Sequence, residues 1–135
     1  MEKDVSDKDY RIEKDSMGEL KVPNASHWGP QTQRAVENFQ ISQIKMPSAF
    51  IRSLALLKWA ISSANAELDL ISQEKAKVIG DVALKIADGQ YSDEFPIDVF
   101  QTGSGTSTNM NMNEVIANLS STDELKIHPN DDVNM

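Results

Sequence analysis

The chain contains no cysteine, only two histidines (His27 and His128), and no uninterrupted apolar run long enough to cross a bilayer. The first absence excludes disulfides, thiolate metal sites and a cysteine nucleophile together. The second leaves little material for a histidine-based metal centre. The third excludes a conventional transmembrane helix. Basic residues are also scarce, 13 against 21 acidic ones, for a net charge of −8. Binding to phosphate backbones needs Lys and Arg, so nucleic acid is not an expected partner. A small anionic ligand stays open, because donors inside a pocket act locally whatever the surface field. The opening residues, Met1 to Asp7, are polar and acidic and carry no secretory or mitochondrial presequence signal, so a cytoplasmic setting is expected. With 135 residues, 39% apolar and 25% charged, the chain suits one globular domain with a modest core.

Residues 1–9 are expected to fray. From Tyr10 to Pro23 short alternations around Asp15-Ser16-Met17-Gly18 predict a small hairpin or extended arm. Pro30 suits the first position of a helix running through Gln31, Arg34, Ala35 and Phe39. Pro47 opens the most regular stretch, in which Phe50, Leu54, Leu57, Ile61, Ala64, Leu68 and Ile71 recur at spacings of four and three. That period predicts one long helix with these seven residues as its buried stripe and Lys58, Ser62, Asn65 and Asp69 mostly elsewhere. Ser72 and Glu74 predict the start of the next helix, Ala76, Ile79, Ala83 and Ile86 its apolar side, and Gly89 its end. The short connection predicts that these two helices pack antiparallel. Tyr91 to Asp98 reads as a loop, and Met110 to Leu119 as a further helix. The expected fold class is mainly α, several helices with a minor extended N-terminal element.

Three segments could carry chemistry. Thr102 to Asn109 combines two glycines, Gly103 and Gly105, with the hydroxyls of Ser104, Thr106, Ser107 and Thr108. A helix starting near Thr106 would aim its free N–H groups at whatever lies beside the loop, and these neutral donors suit a carboxylate. The same pattern also reads as an ordinary glycine loop with a hydroxyl N-cap. Asn109, Asn111 and Asn113 alternate with methionines, either lining a polar cleft or bonding neighbouring helices. His128-Pro129-Asn130-Asp131 sets an imidazole, an amide and a carboxylate around a rigid proline, which suits anion binding or proton transfer as well as a structural turn. His27 reads as surface or satisfied core, and Asp93-Glu94 as a solvated acidic loop.

Taken in order, these pieces resemble the aspartase/fumarase superfamily, and within it the class II fumarate hydratases. The motifs are Arg11-Ile12-Glu13, Asp15-Ser16-Met17-Gly18-Glu19, Val22-Pro23, Trp28-Gly29, Gln31-Thr32-Gln33-Arg34-Ala35 and Asn38-Phe39. They continue with the run from Phe95 to Thr106, Asn109-Met110-Asn111, Asn113-Glu114-Val115-Ile116-Ala117 and His128-Pro129-Asn130-Asp131. The resemblance extends from about Arg11 to Met135 and implies an N-terminal lyase domain, residues 10–135, preceding a central helical bundle that the chain does not include.

The resemblance implies reversible hydration of fumarate to (S)-malate by a carbon–oxygen lyase without metal or organic cofactor. It implies that Ser104, Gly105 and Thr106 hold a substrate carboxylate, supported by Thr102, Asn109 and Asn111. It also implies that His128, Asn130 and Asp131 form a second dicarboxylate site near the active-site entrance. The family commonly has an arginine three residues before that histidine; here Leu125 stands there, with Lys126 beside it. The family's catalytic serine, supporting histidine and tetramer-forming helices lie in segments beyond those matched, so no catalytic residue is expected in this chain and the chain alone is expected to be inactive. Family members are homotetramers whose active sites draw on three subunits. Exposed apolar surface, on the Phe50–Ile71 stripe or on Met110–Leu119, is expected to drive self-association. Two other readings are an aspartate ammonia-lyase piece and a non-catalytic binding or assembly module of the same fold.

Overall fold

The computed structural model describes residues 7–135. Of the segment expected to fray, residues 1–6 lie outside the described residues, and Asp7–Asp9 form a 3-10 turn. Strand β1 (Tyr10–Asp15) pairs antiparallel with β2 (Gly18–Pro23) in a register from Tyr10↔Pro23 to Asp15↔Gly18. This is the expected hairpin, closed by Ser16 and Met17, with the Met17 N–H donating to Asp15 Oδ1 at 2.8 Å. Two arginines fasten it. The Arg11 guanidinium donates to the carbonyls of Pro23, Ser26 and Trp28, each at 2.7 Å. Arg34 grips Asp15 with two nitrogens, at 2.8 and 2.9 Å, and also reaches the Gly18 carbonyl. The Arg34 hydrogen bonds hold the Asp15 carboxyl below its ordinary range.

Four α-helices follow: α1 (Pro30–Asn38), α2 (Ser48–Glu67), α3 (Gln73–Ala87) and α4 (Thr106–Ser120). The local signals sit where the sequence places them. Pro30 starts α1, Ser72 Oγ accepts the Lys75 N–H at the start of α3, and Gly89 follows its end with φ +94°. Helix α4 is the centre of the domain: every residue from Asn111 to Ala117 is buried. Met112, Val115 and Ile116 meet Ile79, Ala83 and Ile86 of α3, with Phe95, Ile127 and Val133 closing the core. Full burial of a side chain such as Ile79 or Ile116 contributes about 1.5–3 kcal/mol.

Helix α2 departs from expectation. It stops at Glu67, with Asp69 in the left-handed region at φ +58°, so Ile71 lies beyond it. Its face also inverts. The core side is Ile51, Ala55, Lys58, Ser62, Asn65 and Ala66, whereas Phe50, Leu57 and Leu68 are 46%, 53% and 68% exposed. The reason is steric. Helix α3 offers α2 a row of small residues (Ala76, Gly80, Ala83, Ala87), and the small side chains of α2 let the two backbones approach. At Gly80 an added Cβ would lie 3.1 Å from the Trp59 ring. Most of the large apolar stripe does not fit that contact: Phe50, Leu57 and Leu68 turn outward, while Leu54 and Ile71 stay packed at the edge of the core.

Candidate anion-binding site

The loop before α4 is built on Asp98. Its carboxylate accepts the N–H groups of Ser42 (2.6 Å), Gln43 (2.8 Å) and Phe100 (2.9 Å) and the Ser42 hydroxyl (2.8 Å). Burial pushes this carboxyl up, but the donors outweigh it and hold it far below the usual carboxylate range. Gln101 carries the path onward, its Oε1 accepting both the N–H and the hydroxyl of Thr108 at 3.0 Å. Gly105, at φ +73°, makes the left-handed turn into α4 that a side chain would resist.

What this leaves at the start of α4 is a set of unused donors. The Thr108 N–H is taken by Gln101 and the Asn109 N–H by the Gly105 carbonyl. The N–H groups of Thr106 and Ser107 and the hydroxyls of Ser104 and Thr106 have no partner among the described residues. Ser104 and Thr106 are exposed. A helix start with free N–H groups, flanked by neutral hydroxyls, suits a carboxylate. Thr102 is bonded to Ser107, Oγ1 to Oγ at 3.1 Å.

The asparagines of α4 divide. Asn109 is half-buried and donates to Asn134 Oδ1 at 3.1 Å. Asn111 is 1% exposed and donates to the Glu94 carbonyl at 2.8 Å, so it holds the Ser92–Glu94 turn rather than facing a ligand. Glu94 itself corrects the reading of a solvated acidic loop. It is buried and clamps His27, accepting its backbone N–H at 2.7 Å and meeting its Nδ1 at 3.0 Å, while Asp93 is exposed. His27 is thereby satisfied, with Tyr91 against its ring edge at 6.0 Å.

His128 to Val133 form a π-helical turn, Pro129–Val133, capped by His128. His128 Nδ1 accepts the N–H groups of Asn130 (3.2 Å) and Asp131 (3.1 Å), which leaves Nε2 to carry the ring proton in the neutral form. Leu125, where the family's arginine would stand, packs against the hydrophobic core, and Lys126 lies within 3.7 Å of Asp123. Cationic help for His128, Asn130 and Asp131 therefore does not come from residue 125. Beneath the turn, Lys75 Nζ meets both Asp132 oxygens at 2.9 and 3.0 Å, and Asp132 also accepts the His128 N–H at 2.8 Å. Lys58 Nζ donates to Asn134 Oδ1 at 3.0 Å. Two lysines thus hold the turn from below.

Burial pushes Asp132 up; the Lys75 hydrogen bond, the His128 N–H and the nearby positive charges outweigh it, so its carboxyl lies below the ordinary value. A depressed carboxyl contributes stability above its unfolded value, near about 3.9, and loses it as pH falls through the folded value. The turn is therefore expected to loosen in acid below about pH 4. In Asp132→Asn it should already be loose at neutral pH, read as faster amide exchange across residues 128–134. Unchanged protection in that variant would remove Asp132 from this role.

The candidate residues do not converge on one cavity. A hollow of about 420 Å³, lined by Glu13, Gln31, Glu114, Asn118, His128 and Asn130 among others, lies under the π turn. A second, of about 360 Å³, runs from Arg34 and Asn38 to Thr102 and Ser107. Asp15, Ser16 and Gln31 border both, so the hairpin tip stands between them. Ser104, Gly105 and Thr106 line neither. The link between the two segments is Asn134, whose Oδ1 accepts from both Asn109 and Lys58.

Glu114 was not singled out from the sequence and is central here. Helix α1 has Gly29 as its N-cap, without a capping side chain, and Glu114 of α4 takes that place. Its oxygens accept the N–H of Gln31 (3.1 Å), the N–H of Thr32 (2.7 Å) and the Thr32 hydroxyl (2.6 Å). Gly29 is glycine because a Cβ there would overlap this carboxylate, lying 2.8 Å from Glu114 Cδ and nearer still to Oε2.

The chain belongs to the lyase family: the profile described as Lyase matches residues 18–135. Within it the similarity is to class II fumarate hydratases over the whole chain, as the motifs implied. The Mycobacterium tuberculosis protein of that name is 55% identical over 132 residues, covering 98% of this chain and 28% of its own length. The Xylella fastidiosa protein is 54% identical over 137 residues, 100% of this chain and 29% of its own. The crystal structure of class II fumarase from Schistosoma mansoni superposes with a TM-score of 0.88 at 36% identity, over 93% of this chain and 28% of that one. Native fumarate lyase:delta crystallin from Brucella melitensis gives 0.87 at 44% identity, over 93% and 31%. The chain thus spans under a third of the length of these relatives, and the mainly helical fold with one small hairpin is theirs. Among the described residues no helix is long and apolar enough to cross a membrane.

Proposed function

We propose that the chain supplies one anion-binding wall of a fumarate hydratase. Ser104, Gly105 and Thr106 receive a carboxylate of fumarate or malate, and no residue of this chain performs the proton transfers. The observation that carries the reading is the cluster of unpartnered donors at the start of α4. Reversible hydration places negative charge on the carboxylate next to the carbon that loses its proton, and fixed N–H and hydroxyl groups stabilise such charge. Thr102 orients the loop, and Asn109 ties it to the π turn, where His128, Asn130 and Asp131 form a second, weaker anion site. Other segments of the longer fold, and neighbouring subunits of a homotetramer, complete the centre in a cytoplasmic setting.

The test is fumarate hydration followed by loss of fumarate absorbance, with the chain alone and mixed with the C-terminal remainder of the M. tuberculosis relative. Activity is expected only on mixing. In the mixture Ser104→Ala and Thr106→Val should each lower kcat/KM by about 10–100-fold, the effect of removing one hydrogen bond to a charged group. Full activity of both variants would overturn the assignment of the carboxylate to this loop. Activity of the chain alone would overturn the claim that the proton-transfer groups lie elsewhere.

A further inference from the structure

The ammonium of Lys58 is buried without a counterion. Lys58 stands on the core side of α2 and is 4% exposed. Its acceptor is the neutral side chain of Asn134, whose Oδ1 lies 3.0 Å from Nζ, and no carboxylate among the described residues is within ion-pair distance. A buried charge in that condition opposes folding, so the core gains nothing from it. What the charge reaches is the start of α4. Asn134 Oδ1 also accepts from Asn109 Nδ2 at 3.1 Å, so the ammonium and the first turn of α4 touch one oxygen. An anion held by the free donors of Ser104 to Ser107 lies about one helical turn further on, roughly 10 Å from the charge.

The surroundings of those donors lack any other free cation. From Ile86 to Leu125 the sequence has no lysine, arginine or histidine and seven carboxylates. One of them, Asp98, is held ionised under the loop itself and repels an arriving carboxylate. Arg34 borders the hollow beside Thr102 and Ser107 but is paired with Asp15, and Lys75 is paired with Asp132. We propose that Lys58 is the standing positive charge of the α4 carboxylate site, a specificity-determining residue whose field selects an anionic ligand there. The inference rests on the assignment of a fumarate or malate carboxylate to Ser104, Gly105 and Thr106. Neutral donors alone also suit an amide or an ester; a fixed charge behind them favours the carboxylate. The lysine has no carboxylate of the protein because the ligand brings one.

The test is titration of the whole chain with fumarate at fixed ionic strength, read on the amide signals of residues 104–108. Asn134→Asp gives Lys58 a carboxylate of nearly unchanged shape. It should raise the urea midpoint and yet weaken fumarate binding about tenfold, the effect of cancelling one charge at this distance. Lys58→Gln keeps a donor near Asn134 without the charge and should weaken binding by a similar factor. Fumaramide, the uncharged analogue, should bind all three chains alike. A lysine that only holds the turn predicts fumarate binding unchanged in Asn134→Asp, where the same atoms are tied more firmly, and that outcome would overturn the proposal. Equal loss of fumarate and fumaramide would trace the effect to a disturbed loop and overturn it as well. Fumarate that leaves residues 104–108 unmoved in the wild-type chain would overturn the carboxylate assignment itself, and the role of Lys58 with it.

Discussion

Glu114→Ala is expected to destabilise the domain by about 3–5 kcal/mol, the summed cost of buried donors left without an acceptor and a large share of the roughly 5–15 kcal/mol that holds a domain of this kind. The substitution leaves three donors without an acceptor, the N–H groups of Gln31 and Thr32 and the Thr32 hydroxyl, and Thr32 is fully buried. It also uncaps α1, which holds Arg34 against the hairpin. Gly29→Ala should cost about 2–3 kcal/mol for a different reason. Its backbone, at φ −112° and ψ −162°, is open to alanine, so the whole penalty is collision with the Glu114 carboxylate. The two effects are therefore coupled. In the Glu114→Ala background the space is vacant, and adding Gly29→Ala should cost little more. Urea unfolding of the two single variants and the double variant measures this; simple additivity would mean that the glycine is required by something other than the carboxylate.

The pH dependence of that cap runs opposite to the rest of the domain. Burial raises the Glu114 carboxyl above its ordinary value, with Glu13 adding to the shift, and the Thr32 and Gln31 donors only partly offset it. A raised group favours folding most in its protonated form, so its contribution is lost as pH rises through the folded value. Asp15, Asp98 and Asp132 are all depressed, and their contributions are lost as pH falls. Acid therefore loosens the hairpin, the loop before α4 and the π turn while α1 keeps its cap.

What could be read beforehand follows from how local each cause is. The Asp15–Gly18 turn, Pro30, Ser72 and Gly89 act within a few residues of themselves, and the elements they define lie where expected. The motif from Thr102 to Asn109 announced a glycine turn into a helix, and that too is a local property. The period of α2 was correct and its direction was not, because periodicity reports that a stripe exists and not which neighbour it meets. Small residues on α2 and α3 decided that, through a contact no apolar count registers. Glu114 over Gly29, Asp98 over Ser42 and Gln43, and Lys75 beneath Asp132 join positions 55 to 85 residues apart. Each is an unremarkable residue in its own segment, and only the fold makes it a cap or an anchor.

Lys58→Met is expected to stabilise the domain. Lys58 is 4% exposed, its one acceptor is the neutral Asn134 amide, and no carboxylate among the described residues lies within ion-pair distance. Burial pulls its ammonium down to about 8. A lysine whose folded value is depressed opposes folding while it is charged, and that opposition fades as pH rises through the folded value towards the unfolded one. Replacing a buried, unpaired charge with an apolar side chain of similar length should therefore gain about 1–2 kcal/mol at pH 7, after allowance for partial screening. The gain should shrink towards pH 10, where the wild-type lysine is neutral as well. Urea midpoints of both proteins at the two pH values test this, and a variant less stable at pH 7 would show that the charge is compensated in solution. The position gives the cost its meaning. Lys58 holds Asn134 at the point where the π turn meets the first turn of α4, so the destabilising charge fixes the spacing between the two candidate anion sites. In Lys58→Met, the Asn134 side chain keeps only its bond to Asn109, and amide exchange across residues 128–134 should quicken in a chain that is otherwise harder to unfold.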